Sequence, residues 1–479
     1  MDSENNMTYQ EIDFLLPAQR FNIQFSYVTQ KGLPFIREFV LRLVHIAPMS
    51  KSQVATYFGL SRLETDEAIS DLVQRGELTL SDSGRLMLTG LSQGYFTDLG
   101  ETPQLSAVLD SGATLSFDLA SFSCFSNQNV SDSWRAGISL EVDRNHISQS
   151  EKLVEKSFQH QFYQILEKEF LPKSVSQDPK ERPYVYTVNA VNKLRDFPLR
   201  LTAKFKIGED GESLERDDFE QLNDSEIVHG LIAINLSKFV RPSNTMALMQ
   251  AMMEIGDEDT LKVFNPKTNS VNPRFIDDLQ KLEEHYETAR TTFVGQIYTR
   301  SNWELFQRTL APILTKRVKA KSDHNDSSFT WIAPSDPFWG KSDRARAAIS
   351  DFIDRAFTKN KQLYKPTLYV PVFGPEDIRA AKSWCHEFRN FEESISGLYE
   401  GMLDGNVEII HLEGELVAVV YHFSKPEALP VSMPIGFIST NKTIVERVGR
   451  IARDYVDGSS SFDKPNDCGA ISKMAKLYK

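Results

Sequence analysis

Residues 33–90 have the clearest local pattern in the chain and read LPFIREFVLRLVHIAPMSKSQVATYFGLSRLETDEAISDLVQRGELTLSDSGRLMLTG. Apolar residues at helical spacing predict a first helix, which ends at Pro48. Two capping boxes, in which Ser50 and Ser61 are each followed three residues later by Gln or Glu, predict the starts of two more helices. Two short strands around a Ser-Gly turn are then predicted within 77–90. The stretch therefore predicts three helices followed by a two-stranded hairpin.

This arrangement resembles the winged helix-turn-helix family over residues 33–92. The resemblance implies that the third helix lies in the major groove of DNA, with Lys and Arg side chains neutralising phosphates. The predicted exposed positions of that helix include Asp66, Glu67 and Asp71, which a phosphate backbone would repel. The nearby cations are Arg62, Arg75 and Arg85. Two roles stay open for this domain. The first is the reading of DNA, and the second is contact with a protein or a purely scaffolding role. We favour the second.

The composition excludes several classes of protein. The chain has 479 residues, of which 41% are hydrophobic and 25% charged, as in globular multi-domain proteins. The longest apolar run, over 416–423, is far shorter than the roughly 18 residues of a membrane helix, and the first residues show no secretory signal. Three widely spaced cysteines form neither a disulfide framework nor a zinc quartet. We therefore expect a cytoplasmic protein without membrane contact.

The net charge of −12 argues against a protein that coats nucleic acid with its whole surface. The charge is unevenly distributed: residues 1–100 contain 8 basic and 12 acidic groups, and residues 101–150 contain 2 and 6. The remaining 329 residues are nearly balanced, with 44 basic and 48 acidic groups. The distribution moves the predicted nucleic-acid contact from the N-terminal helices to the C-terminal part of the chain.

Residues 105–300 predict a mixed α+β middle domain. Strand patterns occur over 113–125, 134–142, 184–191, 199–207 and 229–239. Helical patterns occur over 150–170 and from 274 to about 316. Four methionines fall on one helical stripe, and such a stripe is typical of core packing rather than of a partner groove. They are Met246, Met249, Met252 and Met253.

Residues 325–457 alternate apolar runs with amphipathic helices. Helices are predicted over 344–357 and 442–456, and one long helix or a pair of helices is predicted over 377–403. Strands are predicted at about 329–333, over 366–373, and in three consecutive runs between 407 and 440. Apolar runs that are separated by helices indicate a buried sheet with helices on both faces, an α/β layer.

This C-terminal pattern resembles one half of a phospholipase D-like domain. In that family a strand carries His-x-Lys, and the histidine attacks a phosphodiester. The resemblance implies His411 or His422 as the nucleophile, with Lys425 or an arginine from another subunit completing the site. If His411 is the nucleophile, Glu413 occupies the lysine position of the motif. If His422 is the nucleophile, Ser424 occupies it. Neither alignment therefore completes the family motif. A metal-independent phosphodiesterase or nuclease is the alternative function.

Clusters of basic residues in the same half of the chain predict phosphate contacts. The predicted nucleic-acid-binding residues are Lys316, Arg317, Lys319, Lys321, Lys341, Arg344, Arg346, Arg447, Arg450 and Arg453. Our leading hypothesis is a non-catalytic, multi-domain adaptor. It contacts either nucleic acid, with DNA as the favoured type, or a partner protein that processes nucleic acid. We expect no cofactor and no metal ion, and the oligomeric state stays open. The combination of domains resembles components of bacterial mobile elements or antiphage defence.

Overall fold

The computed structural model describes residues 7–32, 35–98, 103–126, 135–175, 183–208, 211–217, 219–265, 267, 270–286, 288–320, 327–358, 361–458 and 465–476. The chain divides into two compact units. The first unit comprises Met1–Pro17, Gln128–Val142 and Phe197–Lys479, and the second comprises Ala18–Asn127 and Asp143–Asp196. Residues 33–92 therefore lie in the second unit and 325–457 in the first, while 105–300 is divided between them.

The structure is a mixture of helices and strands. The helices are α1 (Phe35–Ile46), α2 (Lys51–Phe58), α3 (Arg62–Gln74), α4 (Gly90–Gln93), α5 (Arg144–Ser148), α6 (Ser150–Glu167), α7 (Glu226–Ser237), α8 (Thr245–Ile255), α9 (Glu258–Leu261), α10 (Pro273–His285), α11 (Arg300–Lys319), α12 (Asp343–Asp354), α13 (Ile378–Glu387), α14 (Lys442–Asp457) and α15 (Ile471–Met474). The strands are β1 (Met7–Gly32), β2 (Leu78–Leu80), β3 (Leu86–Leu88), β4 (Gln104–Asp118), β5 (Cys124–Phe125), β6 (Ile138–Ser139), β7 (Tyr184–Ile207), β8 (Phe264–Asn265), β9 (Ser270–Val271), β10 (Arg290–Val294), β11 (Ser328–Ile332), β12 (Phe357–Thr358), β13 (Lys361–Gln362), β14 (Lys365–Val372), β15 (Ile395–Tyr399), β16 (Val407–Leu412), β17 (Leu416–Phe423), β18 (Met433–Ser439) and β19 (Asp467–Ala470). No helix within the described ranges combines the length and the apolar character that a membrane span requires.

Helices α1 to α3 and the β2–β3 hairpin are present where the sequence predicts them. The side chains of Ser50 and Ser61 accept hydrogen bonds from the backbone N–H groups three residues on, so both predicted capping boxes are formed. Gly59 ends α2 in the left-handed region, at φ 66°, which a residue with a Cβ adopts only with strain. The helices and the hairpin share one apolar core around Val40, Ile69 and other buried residues.

The second unit also contains a long antiparallel ribbon that the sequence analysis missed. From residue 18 to residue 32, β1 pairs continuously with β4. Apolar and polar residues alternate along this part of β1, as in a sheet that is buried on one face. Phe25 packs against Phe158 and Phe162 of α6 on the buried face. On the other face, Asn189 of β7 donates to Ser26, which donates to Asp110 of β4.

The first unit is built on an eight-stranded mixed sheet in the order β10-β18-β17-β16-β11-β14-β15-β19. Strands β11, β14 and β15 run parallel, and the other neighbours pair antiparallel. Trp331 of β11 is paired with Ile410 of β16, and both lie in one core with residues of α11 and α12. His411, the next residue of β16, lies against Gly449 of α14 on the opposite face. The predicted sheet with helices on both faces is thus present.

Several element predictions were wrong. Residues 229–239 were predicted to be a strand, but they fall largely in helix α7, where Val228, Ile232 and Leu236 are buried at a helical spacing of four residues. The predicted helical stretch from 274 to 316 is interrupted by β10, and the long helix or helix pair predicted over 377–403 is helix α13 followed by β15. The methionine stripe on α8 is core at Met252, whereas Met246 is 71% exposed. Short apolar runs fit a helix and a strand equally well, so periodicity alone misassigned them.

Helix α10 covers the outer edge of the large sheet at β10. The Gln280 amide donates to the carbonyl of Thr292 at 3.0 Å, and the Glu283 carboxylate accepts from the Thr292 N–H at 2.5 Å. The same carboxylate accepts from Arg290, whose guanidinium carbon lies 3.9 Å from the centre of the Phe437 ring. Unpaired backbone groups on an edge strand attract other chains, and these side chains occupy them.

We predict that Ser61→Ala loosens α3, because the third backbone N–H of the helix loses its acceptor. The expected cost is about 1 kcal/mol of local stability, roughly a fivefold faster hydrogen exchange of the α3 amides. Native-state hydrogen exchange followed by mass spectrometry measures the change. Ser70→Ala, at an exposed position on the same helix, is the matched control and should leave the exchange unchanged. Equal exchange in both variants would contradict a capping role for Ser61.

Candidate functional site

The predicted nucleophile His422 lies in a fully buried ionic network in the core of the first unit. Its Nδ1 lies 2.7 Å from Asp336 Oδ2, and its Nε2 lies 3.2 Å from Glu408 Oε2. Ser432 donates to Asp336 Oδ2 at 2.5 Å. The indole nitrogens of Trp331 and Trp339 both donate to Glu408 Oε1, at 2.7 and 2.9 Å. Each polar group of this network therefore has a partner of complementary character.

The two carboxylates decide the protonation of His422. Burial alone would lower its pKa, but the hydrogen bonds and negative charges of Asp336 and Glu408 raise the pKa to about 9. Burial also opposes ionisation of Asp336, yet the His422 imidazolium and its hydrogen bonds bring the pKa of that carboxyl below its ordinary value. At neutral pH His422 is an imidazolium with both N–H groups donated to carboxylates. In that state it has no lone pair with which to attack phosphorus.

The second predicted nucleophile, His411, has the opposite protonation. Burial is the main cause that lowers its pKa to about 4, and the nearby positive charge of Arg453 lowers it further. Its neutral ring lies against Gly449 of α14, so closely that a Cβ at that glycine would collide with the ring. His411 thus permits a close approach of α14 to the sheet.

The structure places the two alternative nucleophiles on opposite faces of the sheet. His422 shares a sheet face with Glu408, whereas His411 lies on the opposite face, under α14. Lys425 is half-buried in the turn after β17, where its carbonyl accepts from the Ala428 and Leu429 N–H groups.

The first predicted phosphate-binding cluster lies at the C-terminal end of α11. Lys316 and Lys319 are exposed, and Lys321 lies outside the described residues. Arg317 is only 4% exposed; its Nε donates to Glu415 at 2.6 Å and its Nη1 donates to the Leu363 carbonyl at 2.7 Å. Arg317 therefore anchors the helix, while the two lysines face solvent.

At the second cluster, the start of α12, a carboxylate of the chain itself occupies the helix N-terminus. Asp13 Oδ2 accepts from the Asp343 N–H at 2.6 Å and from Arg200 at 2.7 Å. Lys341 is half-buried and forms an ion pair with Glu387. The remaining predicted cations of this cluster are Arg344, which is exposed, and Arg346, which is half-buried. The positive end of the helix dipole is thus already neutralised.

The third cluster, on α14, lies beside acidic residues, and some of its arginines already bind groups of the protein. Arg447 donates to the Ile255 carbonyl at the end of α8, and Arg453 lies 3.7 Å from a Glu413 oxygen. Arg450 is exposed. The same helix lines an acidic pocket of about 400 Å³, whose carboxylates are Glu254, Asp404 and Asp454. Helix α14 lies on the opposite sheet face from α11 and α12, yet Arg453 and Arg317 both pair with glutamates of the turn between β16 and β17, Glu413 and Glu415.

The surface of α3 in the second unit is acidic and partly apolar. Asp66 forms an ion pair with Lys51, and Asp71 forms one with Arg75. Leu63, at the first turn of the helix, is 77% exposed. Phosphate-binding surfaces are rich in unpaired cations, whereas apolar side chains beside charges are usual at protein interfaces.

Sequence reasoning missed the acidic members of the buried network. Glu408 could have indicated the network from the sequence alone, because it is a lone carboxylate inside the apolar run VEIIHL. A carboxylate in a strand that is buried on both faces needs donors or a cation from neighbouring strands. Asp336 follows β11 in a polar loop and has no such signature in the sequence.

No protein-family model, no curated protein and no solved structure matches the chain. Among the described residues, no group of three or more His, Cys, Asp or Glu side chains is placed to hold a metal ion.

We predict that stability decreases as the pH rises from about 6.5 to 9, owing to His422. The folded-state pKa of about 9 exceeds the ordinary value of about 6.5, so the stabilisation is complete below pH 6.5 and is lost through pH 9. The loss is on the order of 3 kcal/mol. Urea unfolding of wild type and His422→Gln at both pH values measures it. A difference between the two proteins that stays constant with pH would contradict the buried imidazolium.

We also predict that Gly449→Ala destabilises the first unit by roughly 1–3 kcal/mol, because the new Cβ overlaps the His411 ring. Replacing the ring in the double variant His411→Ala/Gly449→Ala should recover part of that loss. Unfolding free energies of the wild type, both single variants and the double variant form the cycle. Additive effects of the two substitutions would show that the contact is not tight.

Proposed function

We propose that this chain is a non-catalytic adaptor that contacts a nucleic-acid backbone through the C-terminal end of α11. The observation that carries the proposal is a contrast in burial at that end of the helix. Arg317 is buried and hydrogen-bonded, while Lys316 and Lys319 are exposed. Exposed lysines on a helix that is already fixed in place can neutralise phosphates with little loss of conformational entropy. Binding of this kind releases counterions and depends little on sequence.

The end of α11 is held from several directions. The Lys361 ammonium donates to the carbonyls of Arg317 and Ala320, at 2.9 and 2.6 Å, where the last turn has no helical donors. Arg308 lies two turns before Lys316, on the exposed side of the same helix. A held helix that carries several cations is a suitable surface for a rigid, evenly charged polymer such as duplex DNA.

The adaptor role is supported by the state of the two histidines. His422 donates both of its N–H groups to buried carboxylates, and His411 is a neutral ring beneath α14. Both serve packing in the core rather than attack on a phosphodiester. We propose that residues 325–457 have a phospholipase D-like fold without the catalytic activity of that family.

For residues 33–92 we propose a winged helix that contacts a protein rather than DNA. The acidic α3 and the exposed Leu63 and Tyr57 support this role, since apolar side chains beside carboxylates suit a basic protein surface. An adaptor of this kind would join a nucleic-acid contact in the first unit to a protein contact in the second. A component of bacterial defence is one setting for it.

The test is fluorescence anisotropy with a labelled random-sequence duplex at several salt concentrations. Wild type should bind, and its affinity should fall steeply between about 50 and 200 mM salt. Lys316→Glu/Lys319→Glu should bind at least about tenfold more weakly and lower the salt slope by about 2, one for each phosphate contact removed.

The matched control is Lys152→Glu/Lys156→Glu, which makes the same change in net charge at exposed positions on α6. This variant should bind nearly as wild type does. An equal loss in both double variants would show that net charge alone governs binding, and no binding by wild type at low salt would overturn the proposal.

A further inference from the structure

The last turn of α11 and the short antiparallel pair β12–β13 are joined into one surface. Lys361 of β13 donates to the carbonyls of Arg317 and Ala320, at 2.9 and 2.6 Å. In the opposite direction, Arg317 donates to the carbonyl of Leu363, the residue that follows β13, at 2.7 Å. Hydrogen bonds from charged donors are the strong ones, so these three hold the strand pair against the helix end.

This surface lies at the edge of the large sheet where the parallel strands begin. Strand β14 follows β13 closely in the chain and runs parallel to β11, so both strands start at the same edge. Helix α12, which leads into β12, and helix α11 share one core on one face of the sheet. The ends of both helices and the β12–β13 pair are therefore neighbours in one layer.

An aromatic ring is exposed at this surface. Phe357 of β12 is 61% exposed, although Ala356 before it is fully buried. The carbonyl of Ala356 accepts from the Leu363 N–H at 2.8 Å, which fixes the backbone next to Phe357. Val318, in the last turn of α11, is also half exposed. The ring is thus presented to solvent on a rigid backbone rather than on a loop.

The charges that this edge leaves available are positive. Lys316, Lys319 and Lys365 are exposed. The carboxylates at the same edge have partners: Glu413 pairs with Arg453, Glu415 with Arg317 and Asp351 with Arg355, while Asp354 accepts from Ser350. An exposed ring among available lysines is the combination that proteins use to bind the bases and the phosphates of one strand together.

We propose that this surface binds single-stranded nucleic acid in preference to duplex, with a base stacked on the ring of Phe357. The inference rests on the proposed phosphate contact of α11 and adds the base to it. The bases of a duplex are paired and stacked on each other, so a protein ring reaches them only after unpairing. Unpaired bases stack on exposed rings with little regard to sequence.

Fluorescence anisotropy of the full chain, with a labelled DNA strand of about 20 nucleotides and the matching duplex, tests the preference. Wild type should bind the strand roughly tenfold more tightly than the duplex. Phe357→Ala should bind the strand roughly tenfold more weakly and leave duplex binding unchanged. Its salt slope should equal that of wild type, because no phosphate contact is lost.

The matched control is Phe373→Ala. Phe373 is 72% exposed and follows β14, so it lies at the opposite edge of the same sheet. This variant should bind both probes as wild type does. An equal loss of strand binding in the two phenylalanine variants would overturn the assignment to Phe357.

A strand of the same length that carries abasic sites keeps the phosphates and removes the stacking partner. Wild type should bind this strand as weakly as Phe357→Ala binds the normal strand. Phe357→Ala should lose no further affinity on it, because ring and base act as one pair. The comparison of the two strands needs only the wild-type chain, so it remains decisive even if the variant does not fold.

Equal affinity of wild type for the normal and the abasic strand would overturn the proposal, and so would a preference for duplex. Lys316→Glu/Lys319→Glu separates this proposal from that of the phosphate contact. If the lysine variant loses both probes and Phe357→Ala loses neither, the phosphate contact stands and the stacking is refuted. If wild type binds neither probe at low salt, both proposals fail.

Discussion

The imidazolium of His422 lies between the carboxylates of Asp336 and Glu408, out of contact with water, and the core of the first unit is arranged around it. Two carboxylates and one cation leave a net negative charge, which the two indole N–H groups and the Ser432 hydroxyl further stabilise. Removing one member of a buried ionic group leaves its partner's charge uncompensated, typically at a cost of about 3–5 kcal/mol. Strands β16 and β17 and the loop after β11 are therefore positioned together.

This constraint separates histidines that look alike in the sequence. Both His411 and His422 lie on central strands, yet one is neutral and the other is charged, since only His422 is hydrogen-bonded to two buried carboxylates. The same separation applies to the cations. Arg317 donates to a half-buried carboxylate and a carbonyl, whereas Lys316 and Lys319, on the same helical turn, face solvent. Partners, rather than residue type, decide which charges are available for binding.

Local signals predicted the parts of the fold that local physics determines. The capping boxes at Ser50 and Ser61 mark helix starts because the donor and the acceptor are three residues apart. Residues 229–239 were assigned to the wrong element because a continuous apolar run fits a buried strand as well as a helix; packing of Val228 and Ile232 decides for the helix. Strand β1 was overlooked, although residues 20–27 alternate in polarity as a half-buried strand does.

The sequence by itself determined the three N-terminal helices, their hairpin, the buried character of the C-terminal strands and the positions of the basic clusters. Only the tertiary structure decided which of those cations are engaged, that Asp13 occupies the N-terminus of α12, and that His422 is enclosed by Asp336 and Glu408. The physical reason is the range of the interactions. Capping and periodicity act over a few residues, whereas these ionic contacts join residues that are far apart in the chain, and only folding brings them within hydrogen-bonding distance.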